Sequence, residues 1–119
     1  MVREAFYALM RVVDELARIQ ENTNYGNWDW VKKEVSVLEA DVERLKNFVK
    51  SEKVRRKLDE TVKALKEGVK EKHPLYVHIA LIFGYKPIVD ELIDNIAERV
   101  YLEYPKEREE EKLGKAIGD

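Results

Sequence analysis

His73 and His78 are the two side chains of this 119-residue sequence that would exchange a proton near neutral pH or ligate a metal as imidazole. A metal pair on a helix needs ligands three or four apart with carboxylates in ExxH order. These histidines are five apart and neither completes such a motif. As a general base, His78 has neither a nucleophile nor an orienting carboxylate near it in sequence. The chain contains no cysteine, which excludes a thiolate metal site, a disulfide and a cysteine nucleophile. It also has no Gly-rich phosphate loop and no GxSxG. The residues therefore assign no catalytic group, no metal site and no cofactor, and the expectation is a protein that is not an enzyme.

Three other constellations bear on function. Lys53, Arg55, Arg56 and Lys57 crowd four cations into five positions, where charge and free helix amides together can hold phosphates, the basis of a nucleic-acid-binding alternative. Residues 52–72 hold eight basic and five acidic side chains, whereas residues 87–104 hold five acids and Arg99 alone, so the two segments can also satisfy each other. Tyr25, Trp28 and Trp30 gather aromatic surface at a polar junction, suited to a protein contact or to stapling a helix start. Glu91 and Asp94 form an ExxD that is similar to the second metal motif of all-helical nucleotide pyrophosphohydrolases of the MazG type. That resemblance implies a second alternative, a metal-dependent nucleotide hydrolase. The family's upstream EExxE is not formed by Glu34, Glu39 and Glu43. The arginine and histidine spacing of HEPN ribonucleases is likewise missing around His73 and His78.

These residues are carried on helices. Ala5, Phe6, Leu9, Val12, Val13, Leu16 and Ile19 recur at three and four, one broad apolar face. Residues 22–27, NTNYGN, form a turn, with Asn27 or Asp29 available as a cap. Val31, Val35, Leu38, Val42, Leu45 and Val49 then alternate four and three, the seam of coiled-coil-like packing. Ser51 can cap a third helix with the stripe Val54, Leu58, Thr61, Val62, Leu65 and Val69. Gly68 in that stripe marks either a close helix contact or a fraying end. His73-Pro74 ends it, because the residue before proline avoids helical angles. Pro74 and Pro87 each suit a first helical turn, so residues 74–104 form two helices or one kinked helix. The fold expected is an all-α, up-and-down bundle of four to five antiparallel helices, with a break or kink near Gly84-Pro87. It would occupy residues 1–104 as a single domain, with 105–119 a frayed or disordered charged tail.

The segment HPLYVHIALIFGYKP, residues 73–87, is nearly uncharged in a chain that is 39% charged. Its apolar run is too short for a membrane span, which needs about 20 residues. A helix apolar on nearly every side belongs in a core or an interface, and a small bundle has little room to wrap it. Leu75, Ile79, Ile82 and Phe83, with Tyr25, Trp28 and Trp30, are thus the candidate protein interface, for a homodimer or a small subunit of a larger assembly. The β-branched content of the segment leaves a buried strand as the alternative. Formal charge is near balance at −2, which selects neither nucleic acid nor membrane as partner. The first twenty residues read as an amphipathic helix and not as a signal peptide, and the expected location is the cytoplasm. Abundant Lys, Glu, Val and Ile with a single glutamine, Gln20, fit a heat-adapted host, where dense surface charge serves ion-pair networks.

Overall fold

The computed structural model describes residues 2–97, which form four helices: α1 Val2–Asn24, α2 Trp28–Lys46, α3 Glu52–Lys70 and α4 Pro74–Leu92. A π-helical turn, Ile93–Ala97, continues α4. The described residues contain no strand, so the segment from Pro74 onward is helical. Each helix packs on the next and α4 returns to α1, while the diagonal pairs, α1 with α3 and α2 with α4, stay farther apart. Short connections and this closed ring make an up-and-down four-helix bundle. Helix α4 is assigned without a gap through Gly84 and the proline at 87, and the departure from α-helical winding comes at Ile93–Ala97. Residues 98–104 of the expected last helix and the charged tail at 105–119 lie outside the described residues.

The heptad spacing of α2 translates directly into burial, with Val31, Val35, Leu38, Val42, Leu45 and Val49 all inside. Facing them are Leu9, Val12, Leu16 and Ile19 of α1 and Val54, Leu58, Val62, Leu65 and Val69 of α3. Two threonines enter this core without leaving a hydroxyl unpaired. Thr23 donates to the Ile19 carbonyl at 2.6 Å and Thr61 to the Lys57 carbonyl at 2.7 Å. Caps follow the sequence in part. The Ser51 hydroxyl accepts from the Val54 amide at 3.4 Å. Asn27 is the N-cap of α2 but its side chain makes no capping bond. His73 takes the capping position before α4, where its Nδ1 accepts from the Tyr76 amide at 3.0 Å.

Gly68 marks a close helix contact: a Cβ there would stand 2.7 Å from Val77 Cγ2 on α4. The end of α3 is a Schellman turn, with the His73 amide donating to the Gly68 carbonyl and the Lys72 amide to the Val69 carbonyl, both at 3.0 Å. This places Lys72 at the left-handed position, φ 49°, where glycine is the unstrained choice. Lys72→Gly should therefore raise stability by about 1 kcal/mol. The check is a higher urea midpoint at unchanged slope.

Candidate functional site

Helix α4 has too many apolar residues for one face to absorb. Val77, Leu81, Gly84 and Ile88 turn into the bundle and are buried. At 100° per residue this leaves Leu75, Ile79, Ile82 and Phe83 on the opposite arc. They are exposed there by 63%, 43%, 66% and 75%. Tyr76 extends the arc toward α3. Between residues 75 and 85 there is no Asp, Glu, Lys or Arg, so the strip is uninterrupted by charge. Scattered surface leucines are ordinary, whereas here five large apolar side chains share one exposed arc. No helix of the described residues is long and apolar enough to cross a membrane.

Beside this strip runs a groove of about 540 Å³ between α1 and α4. Leu16, Ala17 and Leu81 line it with Ile82 and Tyr85, while Gln20, Asn24 and His78 supply polar atoms. His78, half-buried, thus stands at the edge of an apolar groove, with two amide side chains as its polar company. Carboxylate and nucleophile are both missing from that lining.

The aromatic trio separates. Trp28 is half-buried and packs against the core at the start of α2. Trp30 stays 56% exposed with the Lys33 ammonium 5.1 Å from its ring centroid, and Tyr25 is exposed in the turn. The basic run also divides. Arg55 turns back to the α2–α3 connection, its Nε donating to the Val49 carbonyl at 2.8 Å and its Nη1 lying 3.6 Å from Glu52. Lys53 and Arg56 are exposed and Lys57 is half-buried. Helix α3 instead reaches α2 through Asp59 with Lys46, at 3.0 Å, and through Lys66 with Glu39.

Of the carboxylates considered for metal chemistry, only part falls within the described residues. Asp94 is exposed, the Glu91 side chain lies outside the described residues, and α2 stays farther from α4 than from α1 and α3. No group of three or more His, Asp or Glu suited to a metal occurs among the described residues.

What sequence reasoning missed is a buried acidic seam between α1 and α2. Glu15 and Asp41 are both buried. Glu15 Oε1 accepts from Arg18 Nη1 at 2.9 Å, and Asp41 Oδ1 lies 3.3 Å from Arg11 Nε. The second oxygen of each, Glu15 Oε2 and Asp41 Oδ2, is buried without a hydrogen-bond partner. Loss of hydration raises the Glu15 pKa to about 7, with the neighbouring Glu34 carboxyl and the Asp41 charge adding to the rise and Arg18 opposing it. For Glu15 alone a local signal was present in the sequence. Glu15 adjoins the apolar stripe at Leu16, and Arg11 and Arg18 stand four before and three after it.

The seam predicts a pH dependence. The folded state holds the Glu15 proton to about pH 7 and the unfolded chain releases it near 4.5. Stability is therefore full below about pH 4.5 and falls as pH rises through 7. Glu15→Gln keeps the side-chain shape and removes the titration. It should be about 2 kcal/mol more stable than the native chain at pH 8 and no more stable at pH 4.5. Urea unfolding at the two pH values measures the difference.

Comparison of the chain with protein-family models, with curated proteins and with solved structures finds no match.

Proposed function

We propose that this protein is a non-catalytic helical bundle that works by self-association, two copies pairing through the outer face of α4. The observation that carries this reading is the row Leu75, Ile79, Ile82 and Phe83, exposed on a helix whose opposite face already fills the core. A second copy fits the row for an electrostatic reason. The row itself carries no charge, while exposed Asp90 and Asp94 follow it at its C-terminal end. Antiparallel two-fold pairing, centred near Ile82, sets apolar residues against apolar residues and keeps the aspartates of the two copies at opposite ends. Parallel pairing would bring them together. The α1/α4 groove, with Ile82 and Tyr85 on its wall, gives each copy a recess for large side chains of the other.

Fully burying one Leu, Ile or Phe side chain contributes about 1.5–3 kcal/mol, and a two-fold interface counts each residue twice. Four such residues supply enough gross energy for a dimer at micromolar concentration after the loss of translational and rotational freedom. Sedimentation velocity across a dilution series tests the reading. A reversible shift from dimer to monomer between high and low micromolar concentration is the expected result. A single monomeric species throughout would reject self-association.

A further inference from the structure

We infer that the end of the bundle opposite the Lys53–Lys57 segment holds a second, independent site, a cavity for a nucleoside phosphate between α2 and α3. Its volume is about 490 Å³, within the range of roughly 300–1,000 Å³ common to small-molecule pockets. Trp28, Val35 and Val69 form apolar walls, and Lys32, Lys66, Lys70 and Lys72 also line the cavity, with Asp29 the one acid in the lining. Lys66 is already held by Glu39. The ammonium groups of Lys32, Lys70 and Lys72 have no ion-pair partner among the described residues.

Three cations without an ion-pair partner in the lining of one recess give it a positive potential that favours an anionic ligand. Lys72 adds an independent observation. It occupies the left-handed position of the α3 terminus at a conformational cost that glycine would avoid, and the turn that imposes this conformation also brings its side chain to the cavity. A residue held in a disfavoured conformation at the edge of a recess points to a role in binding.

The aromatic wall narrows the ligand class. Trp28 is anchored by the core yet lines the cavity, so its indole offers a fixed surface for a flat base, while the lysines take the phosphate. A small anion is favoured over a nucleic-acid strand because Lys32, Lys70 and Lys72 line one bounded recess together with Trp28. Lys53 and Arg56 stand at the other end of α3, about 20 Å away along a helix rising 1.5 Å per residue.

The test is intrinsic fluorescence titration of the full chain carrying Trp30→Phe, which leaves Trp28 as the sole tryptophan. AMP, ADP and ATP, pyrophosphate alone, and a single-stranded oligonucleotide are the probes. Saturable quenching by the nucleotides is expected, at least tenfold tighter than pyrophosphate, which competes, and weakening with salt. Lys70→Gln and Lys72→Gly should each weaken nucleotide affinity at least tenfold, and Lys53→Gln should leave it unchanged. Because Lys72→Gly is expected to stabilise the fold, its loss of affinity is not attributable to unfolding. Three results overturn the inference: no saturation at millimolar nucleotide, pyrophosphate binding as tightly as the nucleotides, or tighter oligonucleotide binding that depends on Lys53 and Arg56. None of these readouts depends on the α4 surface, so self-association and ligand binding stand or fall separately.

Discussion

Ile82→Asp and Phe83→Asp should each convert the proposed dimer into a folded monomer. Both side chains point away from the bundle and are exposed by two thirds or more, so a carboxylate at either position stays hydrated in the isolated chain. Helicity and thermal stability of the monomer should consequently stay near native values. In the dimer each change acts twice. Loss of two buried side chains removes about 3 kcal/mol or more, and placing two carboxylates near a two-fold axis adds desolvation and repulsion. The affinity of the pair should fall by more than about 100-fold. Val77→Asp is the contrasting control, because Val77 is fully buried between α4 and its neighbours and its replacement should unfold the chain. Sedimentation velocity with far-ultraviolet circular dichroism separates the cases. A dimer that persists in both Ile82→Asp and Phe83→Asp places the interface elsewhere.

The four-helix architecture and most of its core are readable from spacing. The four-three alternation from Val31 to Val49 and the stripe from Val54 to Val69 each define one face, and those faces are buried. Helix α4 is harder, because a segment apolar on nearly every side has no phase for periodicity to detect. Its inward row of Val77, Leu81 and Ile88 is fixed only by its neighbours, through Gly68 receiving Val77 and Gly84 lying on Thr61. The aromatic trio divides for a similar reason. Trp28 and Trp30 are two apart, hence 200° apart on a helix, and cannot share a face. The seam of Glu15 and Asp41 and the lysine-lined cavity join residues from different helices. Charges on separate helices are brought together by packing, and no local pattern records that pairing.

Gly84→Ala should be among the most damaging single-methyl additions in the protein. A Cβ at this position would lie 2.9 Å from Thr61 Cβ, with Thr61 Oγ1 and Cγ2 closer still. The Thr61 Cβ is attached directly to the α3 backbone, so a rotamer change cannot clear it, and α3 and α4 must separate. Alanine is the better helix former by about 1 kcal/mol, which offsets part of the cost. Overpacking and the loosening of Leu58, Leu65, Val77 and Leu81 outweigh it, for a net loss of roughly 2–3 kcal/mol and a fall in Tm of about 10 °C or more. Thr61→Ala removes Oγ1 and Cγ2 but keeps Cβ, so Gly84→Ala/Thr61→Ala should recover about half the loss. The Thr61 hydroxyl bonds only within α3, to the Lys57 carbonyl, and its removal leaves no donor stranded on α4. Additive losses in this double-mutant cycle would show that the two helices do not meet at Gly84 and Thr61. A coupling of about 1 kcal/mol or more would establish that contact as what sets their distance, and with it which row of α4 is left facing outward.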